Sequence, residues 1–188
     1  MRWIPFLVFS YIMLLLQCSI GRILVFHFDW PGPFGPDVLL IFAVFVFLIS
    51  SDPLDGILAG CIIGFIWDLG MAASACCVGP MAIICAFCSW LVMGIREALF
   101  RNRVLPQMIL TAMFVAFAHG MWITVQTILG GFSWSDYARL LLMAFLSVIC
   151  TVLLTPVIIV FLKPFRKWIV LPIPSLGRRR RTLEGFQK

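Results

Sequence analysis

The chain has 188 residues, of which 63% are hydrophobic and only 12% are charged, with a formal net charge of +6 and a mean hydropathy of +1.10. Soluble domains are typically about 45–50% apolar and 25% charged. The composition therefore excludes an ordinary soluble domain and predicts an integral membrane protein with a single domain.

Six apolar runs reach or approach the roughly 20 residues that a helix needs to cross the hydrocarbon core. In chain order they cover residues 4–20, 37–50, 53–73, 76–95, 104–129 and 140–162. We predict that they form an all-α, six-helix transmembrane bundle within a domain over residues 1–163. A basic tail over residues 164–188 follows this domain.

The second run is the shortest, and two arrangements are possible for it and the third run. They either cross the membrane separately or form a re-entrant hairpin. A hairpin would place Asp52 and Asp55 near mid-membrane, with no cation close in sequence. Two crossings would place both carboxylates at the surface, where Pro53 suits the first position of the third helix. We therefore favour two crossings.

Basic residues fix the predicted orientation. With the N-terminus inside, twelve of the 14 lysines and arginines lie on the inner side, and only Arg22 and Arg139 lie outside. Because loops rich in Lys and Arg stay in the cytoplasm, both termini are predicted to be cytoplasmic.

The tail carries a run of four arginines beside the last span: Arg178, Arg179, Arg180 and Arg181. Each basic residue near a membrane surface contributes about 1 kcal/mol of attraction to anionic lipid. We expect this run to contact anionic lipid. Nucleic-acid binding is the rival interpretation, and a span that ends so close to the run argues against it.

Three glycines and a carboxylate recur every four residues in the third run, at Gly56, Gly60, Gly64 and Asp68. On a helix this spacing places all four on one face. The glycines leave a groove for another helix. An ionisable residue in a membrane segment is a candidate functional site, although Asp68 could also cap or brace a helix end.

Asp52, Asp55 and Asp68 resemble part of a metal-binding phosphotransferase signature, but Gly60 stands where the signature has arginine, and Ala72 replaces its last aspartate. The predicted metal site is incomplete. We expect no catalytic residue, no metal and no cofactor.

His119 is the second candidate polar anchor, inside the fifth run. Counted at about 1.5 Å per residue from the inner helix ends, Asp68 and His119 both lie roughly 22–23 Å up. We hypothesise that they share one layer in the outer half of the membrane and form a hydrogen bond. Arg22, Gln126 and Thr127 are alternative partners for Asp68.

The order of these features resembles the rod-shape-determining MreD family. A Pro-Asn/Asp pair opens the second span of that family, and Pro36 and Asp37 match it. The family's GxxxGxxxDL motif is matched by Gly60, Gly64, Asp68 and Leu69. Gly79 matches a later glycine, and Leu99, Phe100, Arg101 and Asn102 match a basic inner loop.

This resemblance implies a non-catalytic scaffold of the cell-elongation machinery in the bacterial inner membrane. Its partners would be MreC, together with MreB and the SEDS synthase with its penicillin-binding protein. The glycine groove would pack internally or receive the MreC helix. The implied fold is similar to the substrate-binding component of energy-coupling-factor transporters.

That similarity leaves a solute-binding component of such a transporter as the alternative function. Transporter components need several convergent polar groups around a pocket, and the candidates are Asp68, His119, Gln126 and Asp37. A closed aqueous cavity around Asp68 would favour the transporter. A dry, apolar pocket that faces lipid laterally would favour the scaffold.

Overall fold

The computed structural model describes residues 3–23, 34–50, 52–70, 78–99, 104–130 and 134–165. Within these ranges the chain is all-helical and contains no strand. The helices are α1 (Trp3–Ile23), α2 (Val38–Ile49), α3 (Pro53–Gly70), α4 (Pro80–Leu99), α5 (Val104–Gly130) and α6 (Trp134–Leu162), and a short 3₁₀ turn covers Lys163–Phe165. Arg178, Arg179, Arg180 and Arg181 lie outside the described residues.

Helix α2 is the centre of the bundle. It contacts each of the other five helices, and every residue from Val38 to Phe47 is buried. This explains its composition, because a helix that is apolar on all sides is stable only when it is covered on all sides. With 12 residues it is only about 18 Å long, which is shorter than the hydrocarbon core.

The other five helices form an open ring around α2. Neighbours pack in the order α1, α3, α4, α5 and α6. Among the described residues, α6 and α1 make no extended contact that would close the ring. At the end that holds the start of α1, the ring of Phe165 lies 5.0 Å from that of Phe9 and bridges the gap.

The glycine face of α3 packs against α4, and this is the most extensive helix–helix contact in the bundle. A Cβ atom added at Gly64 would collide with the Met81 carbonyl oxygen, and one at Gly60 would lie 2.8 Å from the Cys85 carbonyl oxygen. One added at Gly56 would collide with Met93. The backbones therefore approach closely because glycine is present, and the groove is filled by the chain's own helix.

Three helices are long and apolar enough to span a membrane, over Pro53–Gly70, Pro106–Gly130 and Asp136–Phe165. Three shorter apolar helices, over Trp3–Ser19, Val38–Ile49 and Pro80–Gly94, accompany them in the described ranges. A membrane protein is thus supported by helix length and composition. The crossing of all six runs stays a prediction.

Candidate functional site

Asp37 lies immediately before α2, but its side chain does not cap that helix. Its backbone angles are φ −98° and ψ 88°. The side chain turns toward the surrounding helices and is almost fully buried, with 4% of the residue exposed. A buried carboxylate is costly unless donors surround it, so its contacts define this part of the molecule.

The Asp37 carboxylate contacts side chains from four helices. Oδ2 lies 2.6 Å from His119 Nε2 of α5, and Oδ1 accepts a 2.9 Å bond from Gln17 Nε2 of α1. Longer contacts come from Trp67 Nε1 of α3 at 3.5 Å and Ser147 Oγ of α6 at 3.3 Å. Short bonds to a charged acceptor are the strongest, so His119 and Gln17 are the principal partners.

The start of α2 is capped by other helices. Gln17 Oε1 accepts a 2.6 Å bond from the Val38 amide, and Thr151 Oγ1 accepts a 3.0 Å bond from the Asp37 amide. Gln17 Nε2 also lies 3.3 Å from the Pro36 carbonyl oxygen. These bonds satisfy amides that a helix N-terminus leaves without intrahelical partners. The N-terminus of the central helix is thereby held between α1 and α6.

Helix α6 contributes a buried polar stripe at four-residue spacing, formed by Ser147, Thr151 and Thr155. Ser147 Oγ donates a 2.6 Å bond to the Gly35 carbonyl oxygen. Because a hydroxyl has one hydrogen, this short bond takes precedence over the longer contact with Asp37. Thr151 Oγ1 donates to the Ser147 carbonyl oxygen at 2.7 Å, so it is free to accept from the Asp37 amide.

A cavity of about 520 Å³ adjoins Asp37. Its polar lining residues are Gln17, Asp37, His119 and Ser147, and its aromatic ones are Phe34, Trp67 and Trp122. The apolar wall between α1 and α6 comprises Leu14, Cys18, Leu140, Met143 and Ala144. The cavity thus lies in the gap of the helix ring, at the end opposite Phe165.

Aromatic packing orients His119. The Trp67 ring lies edge-on to the His119 ring, with centroids 5.9 Å apart, and edge-on to the Trp122 ring at 5.3 Å. Such edge-to-face pairs are favourable beyond their buried area. They hold the imidazole against Asp37 on one side of the cavity.

Asp68 forms a separate site at the start of α4. Its Oδ2 accepts bonds from the amides of Gly79 at 3.0 Å and Met81 at 2.9 Å, and the residue is fully buried. Asp68 lies one turn after Gly64 on the glycine face of α3, beside the start of α4. It therefore meets free amides and the positive end of the helix dipole, and it caps α4.

The predicted hydrogen bond between Asp68 and His119 is wrong. His119 is bonded to Asp37, and Asp68 Oδ1 has no hydrogen-bond partner among the described residues. Of the alternative partners, Thr127 Oγ1 also makes no bond to a described residue, Gln126 is buried, and the side chain of Arg22 lies outside the described part of the chain. Equal depth in the membrane did not predict the partner of His119, because depth does not specify the direction in which a side chain points.

The other residues that match the family's motifs lie in three different places. Pro36 lines the cavity, whereas Leu69 is exposed on α3. Gly79 has a φ of +121°, which favours glycine, and its amide bonds to Asp68. The pattern therefore contributes to both carboxylate sites.

Gln17, Trp67, Ser147 and Thr151 were not predicted to belong to a site. The polar stripe at Ser147, Thr151 and Thr155 was a usable signal, because polar residues at helical spacing in an apolar span usually face other helices. Gln17 was a second such signal in the first apolar run.

No group of three or more His, Cys, Asp or Glu residues that could hold a metal occurs in the part of the chain that the structure describes. Comparisons with protein-family models, curated proteins and solved structures found no match to the chain.

Proposed function

We propose that the chain is a non-catalytic scaffold of the bacterial cell-elongation machinery, similar to the MreD family, that binds MreC in the inner membrane. The proposal rests on one observation: the residues that match the family's motifs make contacts within the bundle. Asp37 joins four helices, Gly60 and Gly64 seat α4, and Asp68 caps it. These residues build a framework instead of presenting groups to a substrate.

The surroundings of Asp68 also favour a scaffold over the transporter alternative. Asp68 is fully buried and bonded to backbone amides, and it is not among the residues that line the cavity. The cavity lies instead between α1 and α6, and most of its lining is apolar. A lateral, mainly apolar pocket is the arrangement expected of the scaffold.

The MreC helix would bind outside the glycine face, because α4 covers that face. Helix α6 offers an exposed apolar stripe at four-residue spacing, which consists of Phe145, Ile149, Leu153, Val157 and Phe161. Five large apolar side chains on one helical face suit packing against a single transmembrane helix. We propose this α6 stripe as the surface for MreC.

Photo-crosslinking in native membranes tests this function. A photoreactive residue at Leu153 of the α6 stripe is expected to crosslink to MreC, identified by mass spectrometry. The matched control is Met113, which is similarly exposed on α5 and is expected not to crosslink to MreC. Copurification of an ATP-hydrolysing transporter module in place of MreC would contradict the scaffold proposal and support the alternative.

A further inference from the structure

In the part of the chain that the structure describes, the helices around α2 leave a gap between α1 and α6, and the cavity of about 520 Å³ beside Asp37 and His119 occupies it. We propose that this cavity binds a neutral amphiphile, whose apolar chain lies between α1 and α6 and whose hydroxyl head group donates a hydrogen bond to His119. The inference goes beyond the scaffold function and does not depend on MreC binding.

The shape of the gap indicates an occupant with an apolar chain. Leu14 and Cys18 of α1 line the cavity together with Met143 and Ala144 of α6. The volume lies within the range of about 300–1,000 Å³ that is common for small-molecule sites. In the predicted membrane orientation this gap lies between two helices, so an amphiphile could enter it laterally from the bilayer.

His119 supplies the polar end of the site. Its Nε2 atom lies 2.6 Å from Asp37 Oδ2. We assign His119 the Nε2–H tautomer, in which Nε2 donates to Asp37 and Nδ1 is left as an acceptor. Nδ1 makes no hydrogen bond to any residue that the structure describes, and His119 lines the cavity. A donor such as a hydroxyl group fits this acceptor.

The side chains of Asp37, Gln17 and Ser147 are already bonded within the protein. Gln17 bonds both Asp37 and the Val38 amide, and Ser147 donates to the Gly35 carbonyl oxygen. They hold Asp37 and the start of α2 in place. Among the described side chains of the lining, His119 Nδ1 is therefore the acceptor that can recognise a hydroxyl group.

The charge of the lining favours a neutral head group. No Lys or Arg occurs among the described residues that line the cavity, and Asp37 is their only carboxylate. A phosphate or ionised fatty acid would bring a second negative charge close to Asp37 without a compensating cation, which is costly in an apolar site. An ammonium head would compete with His119 and Gln17 for Asp37.

Tryptophan quenching tests the ligand class, because Trp67 and Trp122 line the cavity and bromine quenches indole fluorescence on contact. The full chain would be placed in phosphatidylcholine nanodiscs. Three probes would share one dibrominated C18 chain: the monoglyceride, the methyl ester and the free acid, ionised at pH 9. We expect saturable quenching by the monoglyceride, and roughly fivefold weaker binding of the methyl ester because it lacks the hydroxyl donor.

The free acid is expected to bind more weakly than the monoglyceride. Equal binding of the monoglyceride and the methyl ester would overturn the assigned hydrogen bond. Tighter binding of the ionised acid would overturn the assignment of a neutral head group.

A cavity-filling variant separates the site from general contact with lipid. Ala144→Phe places bulk in the cavity, whereas Ala116→Phe adds the same ring to an exposed position of α5. We expect Ala144→Phe to weaken monoglyceride binding by about tenfold through overpacking and Ala116→Phe to leave it unchanged. Equal binding by both folded variants would overturn the site.

Two tryptophan variants test the same site in case Ala144→Phe does not fold. Trp122→Phe removes a tryptophan of the cavity, and Trp90→Phe removes an exposed one on α4. The saturable quenching should fall in Trp122→Phe and persist in Trp90→Phe. The same loss in both variants would show that the probe contacts the outer surface only.

Discussion

Asp37 lies at the N-terminus of α2 and Asp68, from the last turn of α3, lies beside the N-terminus of α4, yet the two are held in different ways. Asp68 caps the neighbouring helix by accepting bonds from the amides of Gly79 and Met81. Asp37 leaves the capping of α2 to other residues and contacts side chains from four helices. The first is a contact between two consecutive helices, whereas the second depends on the assembly of the whole bundle.

The surroundings of the two carboxylates differ in packing as well. At the glycine face, α3 and α4 are so close that a Cβ atom added at Gly60 or Gly64 would collide with the backbone of α4. Beside Asp37, α1 and α6 stay apart and leave the cavity. The sealed side of the bundle therefore has a structural role, while the open side is where we propose that a ligand binds.

The largest expected effect is that of Asp37→Leu, which tests whether Asp37 holds the bundle together. His119 and Gln17 would lose their buried acceptor, and removal of one partner of a buried pair costs about 3–5 kcal/mol. The free energy of unfolding, measured by titration with SDS in mixed micelles, should fall by that amount. Asp52→Leu, at an exposed position, is the control, and equal losses in the two variants would contradict the role of Asp37.

Gly64→Ala is expected to have the next largest effect, because its Cβ would collide with the backbone of Met81. Overpacking typically costs about 1–3 kcal/mol. At Gly94 an added Cβ meets nothing within 4 Å, so Gly94→Ala should stabilise the helix by up to about 1 kcal/mol. In the same SDS titration the free energy of unfolding should thus fall in Gly64→Ala and rise in Gly94→Ala. A loss of stability in Gly94→Ala would refute the idea that close packing at Gly64 causes the difference.

Substitution of Asp68 separates hydrogen bonding from charge at the start of α4. Asp68→Leu removes the cap and should cost about 0.5–2 kcal/mol. Asp68→Asn keeps an acceptor for Gly79 and Met81 and places its amide where Oδ1 makes no bond to a described residue, so it should cost less. If Asn is as damaging as Leu in SDS titration, the negative charge at the helix dipole is what stabilises α4.

The smallest expected effect is that of Trp122→Phe. Trp122 Nε1 is buried near Asp68, but it makes no hydrogen bond of good geometry to any described residue. Unfolding free energy should change by less than about 1 kcal/mol, with Trp90→Phe as the exposed control. A larger loss would indicate that the indole N–H stabilises the neighbouring Asp68. Trp122 would then belong both to the Asp68 site and to the cavity beside Asp37.

The sequence alone predicted the helical class and the face that carries the glycine ladder. Four-residue spacing specifies one side of a helix whatever its neighbours are. It also gave Asp68 a cap as one possible role. It did not reveal whether α4 or a partner would cover the glycines, since a groove is compatible with any helix that fits.

The Asp37 cluster could be predicted only in part. Asp37 and His119 were recognised as polar residues in apolar surroundings, and Pro36 and Asp37 as a motif. Their pairing was missed because Asp37 and His119 are 82 positions apart in the chain. Matched depth restricts the height of a residue in the bundle and leaves its rotation about the helix axis open.

Composition and spacing by themselves determined that the chain forms apolar helices, and which face of α3 is free of side chains. The tertiary structure decided that α4 fills this face, that His119 pairs with Asp37, and that a cavity remains between α1 and α6. Periodicity is a property of one helix and does not specify its neighbours. The partner of a buried carboxylate and the place where a ring of helices stays open depend on how all the helices pack around α2.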